Sequence, residues 1–144
     1  MIIVMASGYF DPIHPGHISY LEGAKKLGDI LVVVVDGDKR TTKKKGKPFI
    51  PAKDRKEIIE ALGCVDKVYI EDVDVKESLK RLRPDIFAKG GDRVDKESIP
   101  EWDICEELGI RIVTGVGADK KWSSSDYLQD WVDFKSGIIK GEKK

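Results

Sequence analysis

Short continuous apolar runs alternate along the chain with stretches in which apolar residues recur every three or four positions. The runs are "IIVMAS" (residues 2–7), "ILVVVV" (30–35), "VDKVYI" (65–70), "DIFAKGGD" (85–92) and "IRIVTG" (110–115). Apolarity at successive positions suits a strand covered on both faces, as in a parallel sheet. Between the first two runs, "GHISYLEGAKKLG" (16–28) places Ile18, Leu21, Ala24 and Leu27 at helical spacing, with Gly28 as the stop. Helices are also expected over "AKDRKEIIEALG" (52–63), over "DVKESLKRL" (74–82), which Pro84 stops, and over "SIPEWDICEELG" (98–109), with Pro100 in its first turn. The last, "SSSDYLQDWVDF" (123–134), opens with serines suited to capping and sets Leu128, Trp131 and Val132 on one face. "DGDKRTTKKKGKPFIP" (36–51) reads as a long polar loop.

Strands alternating with helices imply an α/β fold, a Rossmann-like five-stranded parallel sheet of order 3-2-1-4-5 with helices on both faces. One domain is expected over residues 1–136, with a tail over 137–144. In that strand order the winding reverses between strands 1 and 4, and ligands bind beyond the carboxyl ends of the strands at that point. "GYFDPIHPGH" (8–17) follows strand 1 and "KGGD" (89–92) ends strand 4, so the two most unusual loops would face one crevice.

Composition narrows the class. The chain has 144 residues, 40% hydrophobic and 36% charged, a globular profile with a heavily charged surface. Lys+Arg and Asp+Glu are both 26, which gives no electrostatic argument for a nucleic-acid or membrane partner. Cys64 and Cys105 lie far apart in apolar settings and read as buried thiols of a cytoplasmic protein. The longest apolar run is too short to span a bilayer, and the N-terminus has no signal-peptide pattern.

The chemistry concentrates in "GYFDPIHPGH", which holds both histidines of the chain. Gly8 lets the backbone approach a ligand closely, and Gly16 leaves space at a helix start. A helix beginning at His17 would expose unpaired N–H groups and attract phosphate. His14 and His17 stand three apart, on one side of a helical turn. Each can donate a hydrogen bond at neutral pH, and each can take full charge beside a phosphate. A zinc site needs three or four ligands, and carboxylates would have to complete it. A purely structural turn leaves the two imidazoles unexplained.

"GYFDPIHPGH" resembles the first signature, G-x-F-D-x-x-H-x-G-H, of the cytidylyltransferase-like nucleotidyltransferases. "KKKGKPFIPAKDRKEIIEALGCVDKV", "DIFAKGGD" and "WSSSDYL" fall in order where that family carries its other signatures. Within the family, "KGGD" resembles the nucleotidyltransferase domain of ADP-heptose synthase, and glycerol-3-phosphate cytidylyltransferase and archaeal FAD synthase are also similar. The resemblance implies transfer of a nucleoside monophosphate from ATP or CTP to a small phosphorylated acceptor, with Mg2+ accompanying the triphosphate and pyrophosphate released. The acceptor it points to is a sugar or polyol phosphate such as heptose 1-phosphate or glycerol 3-phosphate. FMN, phosphopantetheine and nicotinamide mononucleotide are alternatives, and a nucleotide-binding module without turnover is the alternative of another class. A homodimer is also implied.

By the same resemblance His14, His17 and Lys45 are catalytic, with Lys43 or Lys44 as alternatives to Lys45 in a mobile lysine loop. Gly8, Tyr9, Phe10, Asp11, Gly16, Lys89, Gly90, Gly91, Asp92, Ser123, Ser124 and Ser125 contact the nucleotide. Arg55 and Lys121 contact phosphate or acceptor. Bland readings stand beside several of these. Asp11 is open between a metal role, loop positioning and an Asx-type turn bond before Pro12. Arg55 is open between facing the site and an exposed helical position. Ser123 with Asp126 reads as a capping box, which leaves Ser124 and Ser125 unaccounted for. The chain departs from the family where "ADKKW" replaces an Arg-Thr, leaving Lys120 or Lys121 as a point charge in place of a fork. It departs again where "GCVD" (63–66) stands in place of R-Y-V-D.

Overall fold

A computed structural model describes residues 1–91, 95–117 and 123–137. Its five parallel strands are β1 (Ile3–Gly8), β2 (Ile30–Asp36), β3 (Lys67–Glu71), β4 (Ile86–Gly90) and β5 (Arg111–Val116), ordered β3-β2-β1-β4-β5. This is the expected Rossmann-like sheet. The helices are α1 (Pro15–Lys25), α2 (Asp38–Lys45), α3 (Ala52–Glu60), α4 (Val75–Leu82), α5 (Trp102–Leu108) and α6 (Ser124–Lys135).

The continuous apolarity of the strands has the expected cause. Val4, Ala6, Leu31, Val33, Val35 and Val68 pack with Leu21 and Ala24 of α1 and Ile59 of α3. Met5, Val34 and Phe87 pack on the opposite face with Val75 and Leu79 of α4 and Cys105 of α5. Both faces are covered, so neither carries a polar stripe. Cys105 is buried as expected, whereas Cys64 is only partly buried at the edge of the first cluster.

Residues 36–51 depart from the expected loop, because α2 occupies half of them. The helix has almost no apolar periodicity, since the residue it buries is Thr41. Electrostatics and a stop signal hold it instead. Asp38 sits in the first turn and Lys43, Lys44 and Lys45 in the last, each sign matched to its end of the helix dipole, and Gly46 ends it at φ +95°. One other expectation shifts. Pro100 lies before the first turn of α5, not in it. On the apolar face of α6, Leu128 is partly buried while Trp131 and Val132 are exposed, as is Phe134.

The strand reversal builds the crevice. β1 and β2 pair from Ile3↔Ile30 to Gly8↔Val35, whereas β1 and β4 pair only at Val4↔Ile86 and Met5↔Phe87. Beyond those residues Tyr20 of α1 fills the gap. Its hydroxyl accepts from the Ser7 N–H at 3.2 Å and donates to the Ala88 carbonyl at 2.7 Å. Glycine is required around this ring. A Cβ at Gly90 would lie 3.1 Å from Tyr20 Cδ1, and one at Gly117, where φ is +95°, would lie 2.9 Å from the Tyr20 backbone. The small residues expected to admit a base at "KGG" thus serve packing at Gly90, while Gly91 takes φ +72° in open space.

Candidate active site

The loop leaving β1 is held in a conformation the local sequence does not favour. Phe10 adopts φ +52° and is buried, with its ring edge-on to His17 at 5.1 Å. A left-handed, non-glycine residue costs on the order of 1–2 kcal/mol, so neighbouring contacts must enforce it. Asp11 supplies two. Its carboxylate, 1% exposed, accepts from the Phe49 N–H at 2.7 Å and the Ile50 N–H at 2.8 Å. Of its three open readings, loop positioning is the one the geometry shows.

Arg55 supplies the rest. Its Nη1 donates to the carbonyls of Tyr9 at 2.7 Å and Asp36 at 2.8 Å. Its Nε donates to the Ile50 carbonyl at 2.7 Å, and its Nη2 to Asp38 at 2.9 Å and to Thr41 Oγ1 at 3.4 Å. A guanidinium has five N–H donors, and all are spent. Both sequence readings of Arg55 are therefore corrected. It is buried, not an exposed helical arginine, and it has no donor left for a phosphate or acceptor. It ties the exits of β1 and β2 to α2 and the segment before α3. Asp38 extends the tie by accepting from the Ala52 N–H at 2.8 Å, which caps α3.

The histidines cap α1 reciprocally. His14, the N-cap residue, accepts at Nδ1 from the Gly16 N–H at 3.1 Å and the His17 N–H at 3.4 Å. His17 accepts at Nδ1 from the His14 N–H at 3.1 Å. This is a capping box made of two imidazoles. It corrects the expectation of unpaired N–H groups at this helix start, because Pro15 has none and those of Gly16 and His17 are taken. An Nδ1 that accepts carries no proton, so each ring is the Nε2–H tautomer. A second proton would break the cap bond, so the role consistent with this geometry is neutral donation through Nε2. The rings stack at 3.7 Å and 16°, which makes the pair one rigid two-donor unit.

α6 closes over this unit. Ser124 is buried and its hydroxyl donates to the Pro12 carbonyl at 2.7 Å, joining α6 to the β1 loop. Ser123 accepts from the Asp126 N–H at 3.3 Å as the N-cap, and Ser125 is exposed. The Tyr127 ring lies 6.2 Å from that of His14. The three serines thus divide their work between cap, tether and surface. Ser125→Ala is expected to raise the KM for the triphosphate without moving Tm. Ser124→Ala is expected to lower stability by about 1 kcal/mol through the lost tether. Thermal melts and steady-state kinetics on the two variants check the division.

Lysines approach from two sides. Lys45 is exposed overall, yet its ammonium lies 5.1 Å from the centre of the Tyr9 ring, and partial desolvation there holds its pKa below the ordinary lysine range. Lys43 and Lys44 are exposed in the last turn of α2, so the three lysines belong to a helix end and not to a loop. On the crevice side Lys89 pairs with Glu101 at 3.3 Å, with side chains 17% and 10% exposed, so a nucleotide would have to compete for that ammonium. Asp92, Lys120, Lys121 and Trp122 lie outside the described residues. Among the described residues no group of three or more His, Cys, Asp or Glu side chains is placed to hold a metal ion.

The cytidylyltransferase-like family profile matches residues 5–134. The chain belongs to this family. The cytidylyltransferase-like chain is 45% identical over 115 residues to an FAD synthase of Archaeoglobus profundus, covering 78% of this chain and 74% of that protein. It is 42% identical over 114 residues to the bifunctional protein HldE of Streptomyces coelicolor, covering 77% of this chain but only 24% of the relative, so it spans about a quarter of that protein. A solved structure, the lipopolysaccharide core biosynthesis protein of Thermoplasma volcanium, superposes with TM-score 0.69 at 39% identity over 83% of this chain and 99% of that one. Residues 5–134 are thus a domain of a nucleotidyltransferase family. No helix among its described residues is long and apolar enough to cross a membrane.

Sequence reading of this cytidylyltransferase-like chain passed over Asp36 and Arg40. Asp36 ends β2 beside the β1 exit, a carboxyl end of a strand next to the reversal, and that position was the available signal. Its carboxylate is 5% exposed and takes Arg40 Nε at 2.9 Å. Burial pushes its pKa up to about 6, against the pull of Arg40. The folded state therefore holds this proton more tightly than the unfolded chain, so its share of stability is present at low pH and lost as pH rises through about 6. Asp36→Asn should gain on the wild type by about 2 kcal/mol as pH rises from roughly 4 to 8, read by urea unfolding. A pH-independent difference would contradict the burial argument.

Proposed function

We propose that the protein transfers a nucleoside monophosphate from ATP or CTP to a phosphate monoester and releases pyrophosphate. The observation that carries this reading is the stacked His14–His17 pair, two Nε2–H donors fixed at the head of α1 with the serines of α6 closing beside them. An oxygen of the acceptor phosphate attacks the α-phosphorus. The bond from that phosphorus to the bridging oxygen breaks, and pyrophosphate leaves with the electron pair. His14 and His17 donate to the oxygens on which negative charge grows, Lys45 adds a positive charge, and Asp11 and Arg55 hold the loop that positions them. The carboxylates of Asp11 and Asp38 are already committed to backbone N–H groups and Arg55, so Mg2+ would be held chiefly by the triphosphate and water.

Two acceptor classes are favoured by specific observations. A sugar or polyol phosphate follows from the "KGGD" resemblance and the match to HldE. FMN follows from FAD synthase relatives of which the chain covers 68% and 74%. The proposal includes a cytoplasmic setting and a homodimer, for which the exposed Trp131 and Phe134 rings, stacked at 5.3 Å on α6, are the surface to examine by sedimentation equilibrium. Incubation with ATP or CTP, Mg2+ and a panel of heptose 1-phosphate, glycerol 3-phosphate and FMN tests the reaction. Acceptor-dependent pyrophosphate is expected. Tight triphosphate binding with no pyrophosphate from any acceptor would establish a binding module instead.

A further inference from the structure

We propose that Tyr127 is a positioning residue for His14. Its ring ends an aromatic column that sets the plane of the His14 imidazole and so aims Nε2. This rests on the reading of the histidine pair as transition-state donors given above. It assigns to α6 a part in the reaction that needs no contact between Tyr127 and either substrate.

The column consists of three successive ring contacts. The Phe10 ring meets His17 edge-on at 5.1 Å, His17 stacks on His14 at 3.7 Å, and His14 meets Tyr127 at 6.2 Å with a tilt of 56°. Aromatic rings attract at centroid separations up to about 7 Å, and tilted pairs are favoured because a positive ring edge faces a negative ring face. The inner end is fixed. Phe10 is buried, and its ring lies against Gly8, where a Cβ would come within 3.2 Å of it. The imidazoles are half-buried, and Tyr127 at the outer end is 48% exposed. The series therefore runs from the core to the surface through both histidines.

The cap of α1 sets one atom of the His14 ring. The Gly16 and His17 N–H groups both donate to Nδ1, at 3.1 and 3.4 Å. They fix a point about which the ring plane can turn, and a turn there moves the Nε2 proton on the opposite edge. Rings packed against the imidazole resist it. His17 does so from α1, and Tyr127 does so from α6, which is anchored for the purpose. The Ser124 hydroxyl donates to the Pro12 carbonyl at 2.7 Å. Ser124 and Tyr127 stand three apart on α6, on one face of the helix, and Pro12 and His14 stand two apart on the β1 loop. α6 thus grips the loop at two points, one polar and one aromatic. Nearly half of Tyr127 remains in solvent, so burial alone gives little reason for the ring. A reacting group misplaced by about 1 Å can lose about 100-fold in rate, so a ring that holds His14 acts on kcat.

Three variants test this. Tyr127→Phe keeps the ring, Tyr127→Leu keeps apolar bulk without it, and Tyr127→Ala removes both. Kinetics use ATP or CTP with Mg2+ and glycerol 3-phosphate or FMN, whichever releases pyrophosphate. Tyr127→Phe should keep kcat within about twofold of the wild type, and the other two should fall about tenfold, with the KM for the triphosphate within about twofold throughout. The chain has two histidines, so its proton NMR spectrum holds one imidazole Hε1 signal from each, and His17→Gln assigns them. Tyr127→Ala should move the His14 signal more than that of His17, and Tyr127→Phe should leave both in place. A Tyr127→Ala protein with an unmoved His14 signal or with wild-type kcat overturns the proposal. So does Tyr127→Leu at the wild-type rate, which would assign the effect to bulk, or Tyr127→Phe as slow as Tyr127→Ala, which would put the hydroxyl on a substrate. A raised KM with unchanged kcat would make Tyr127 a binding contact and overturns it as well. If no acceptor yields pyrophosphate with any of these proteins, a moved His14 signal upholds the column while the transfer reading fails, so the two failures are separable.

Discussion

His17→Gln is expected to keep the fold and to lose turnover by about two or more orders of magnitude. The two roles of His17 sit on different nitrogens. Nδ1 accepts from the His14 N–H and closes the cap of α1. Nε2 carries the proton that a developing negative charge would receive. Glutamine is the standard residue at this capping position and can take over the first role, but it does not set an N–H donor where the stacked imidazole holds Nε2. The stability loss should therefore stay within about 1 kcal/mol while kcat collapses. His17→Ala removes both roles and should show both losses. A folded His17→Gln protein with kcat near that of the wild type would take His17 out of the transition state.

Arg55→Ala is expected to cost about 3–5 kcal/mol, a large share of the 5–15 kcal/mol typical of a domain. Truncation takes the Arg55 donor from the carbonyls of Tyr9 and Ile50, leaves that of Asp36 only a 3.4 Å bond from Thr41 Oγ1, and leaves Asp38 without its cation. The loss falls on the segments that shape the site, so residual activity should drop further than stability alone implies. Arg55→Lys is the sharper test. A lysine carries one ammonium at the end of a flexible stem and cannot span acceptors from four segments, so it should recover less than half of the loss. Urea unfolding measures both variants. A lysine variant within about 1 kcal/mol of the wild type would mean that charge, and not the fork, holds these loops.

These two residues mark where the sequence was legible. The strands were, because a sheet covered on both faces writes continuous apolarity, and their order followed from alternation with helices. The histidine pair was, because its spacing and its place between strand and helix are local facts. Helix α2 was not, because it is held by dipole, charge and Gly46 and buries only Thr41. The partners of Arg55 were not, because its acceptors are backbone carbonyls and side chains from segments up to 46 residues away, which no periodicity records. Asp11 was undecided for the same reason, since Phe49 and Ile50 lie 38 and 39 residues on. The apolar face of α6 marks a different limit, since Trp131 and Val132 on it are exposed. An amphipathic pattern states that a face is apolar and does not state what covers it.

The central claim is which bond is broken. ATP or CTP labelled with 32P at the α position, and separately at the γ position, is incubated with Mg2+ and the acceptor that supports pyrophosphate release. Nucleotidyl transfer predicts the α label in the acceptor product and the γ label in pyrophosphate. The γ label appearing on the acceptor, or as inorganic phosphate in a pyrophosphatase-free reaction, would contradict it.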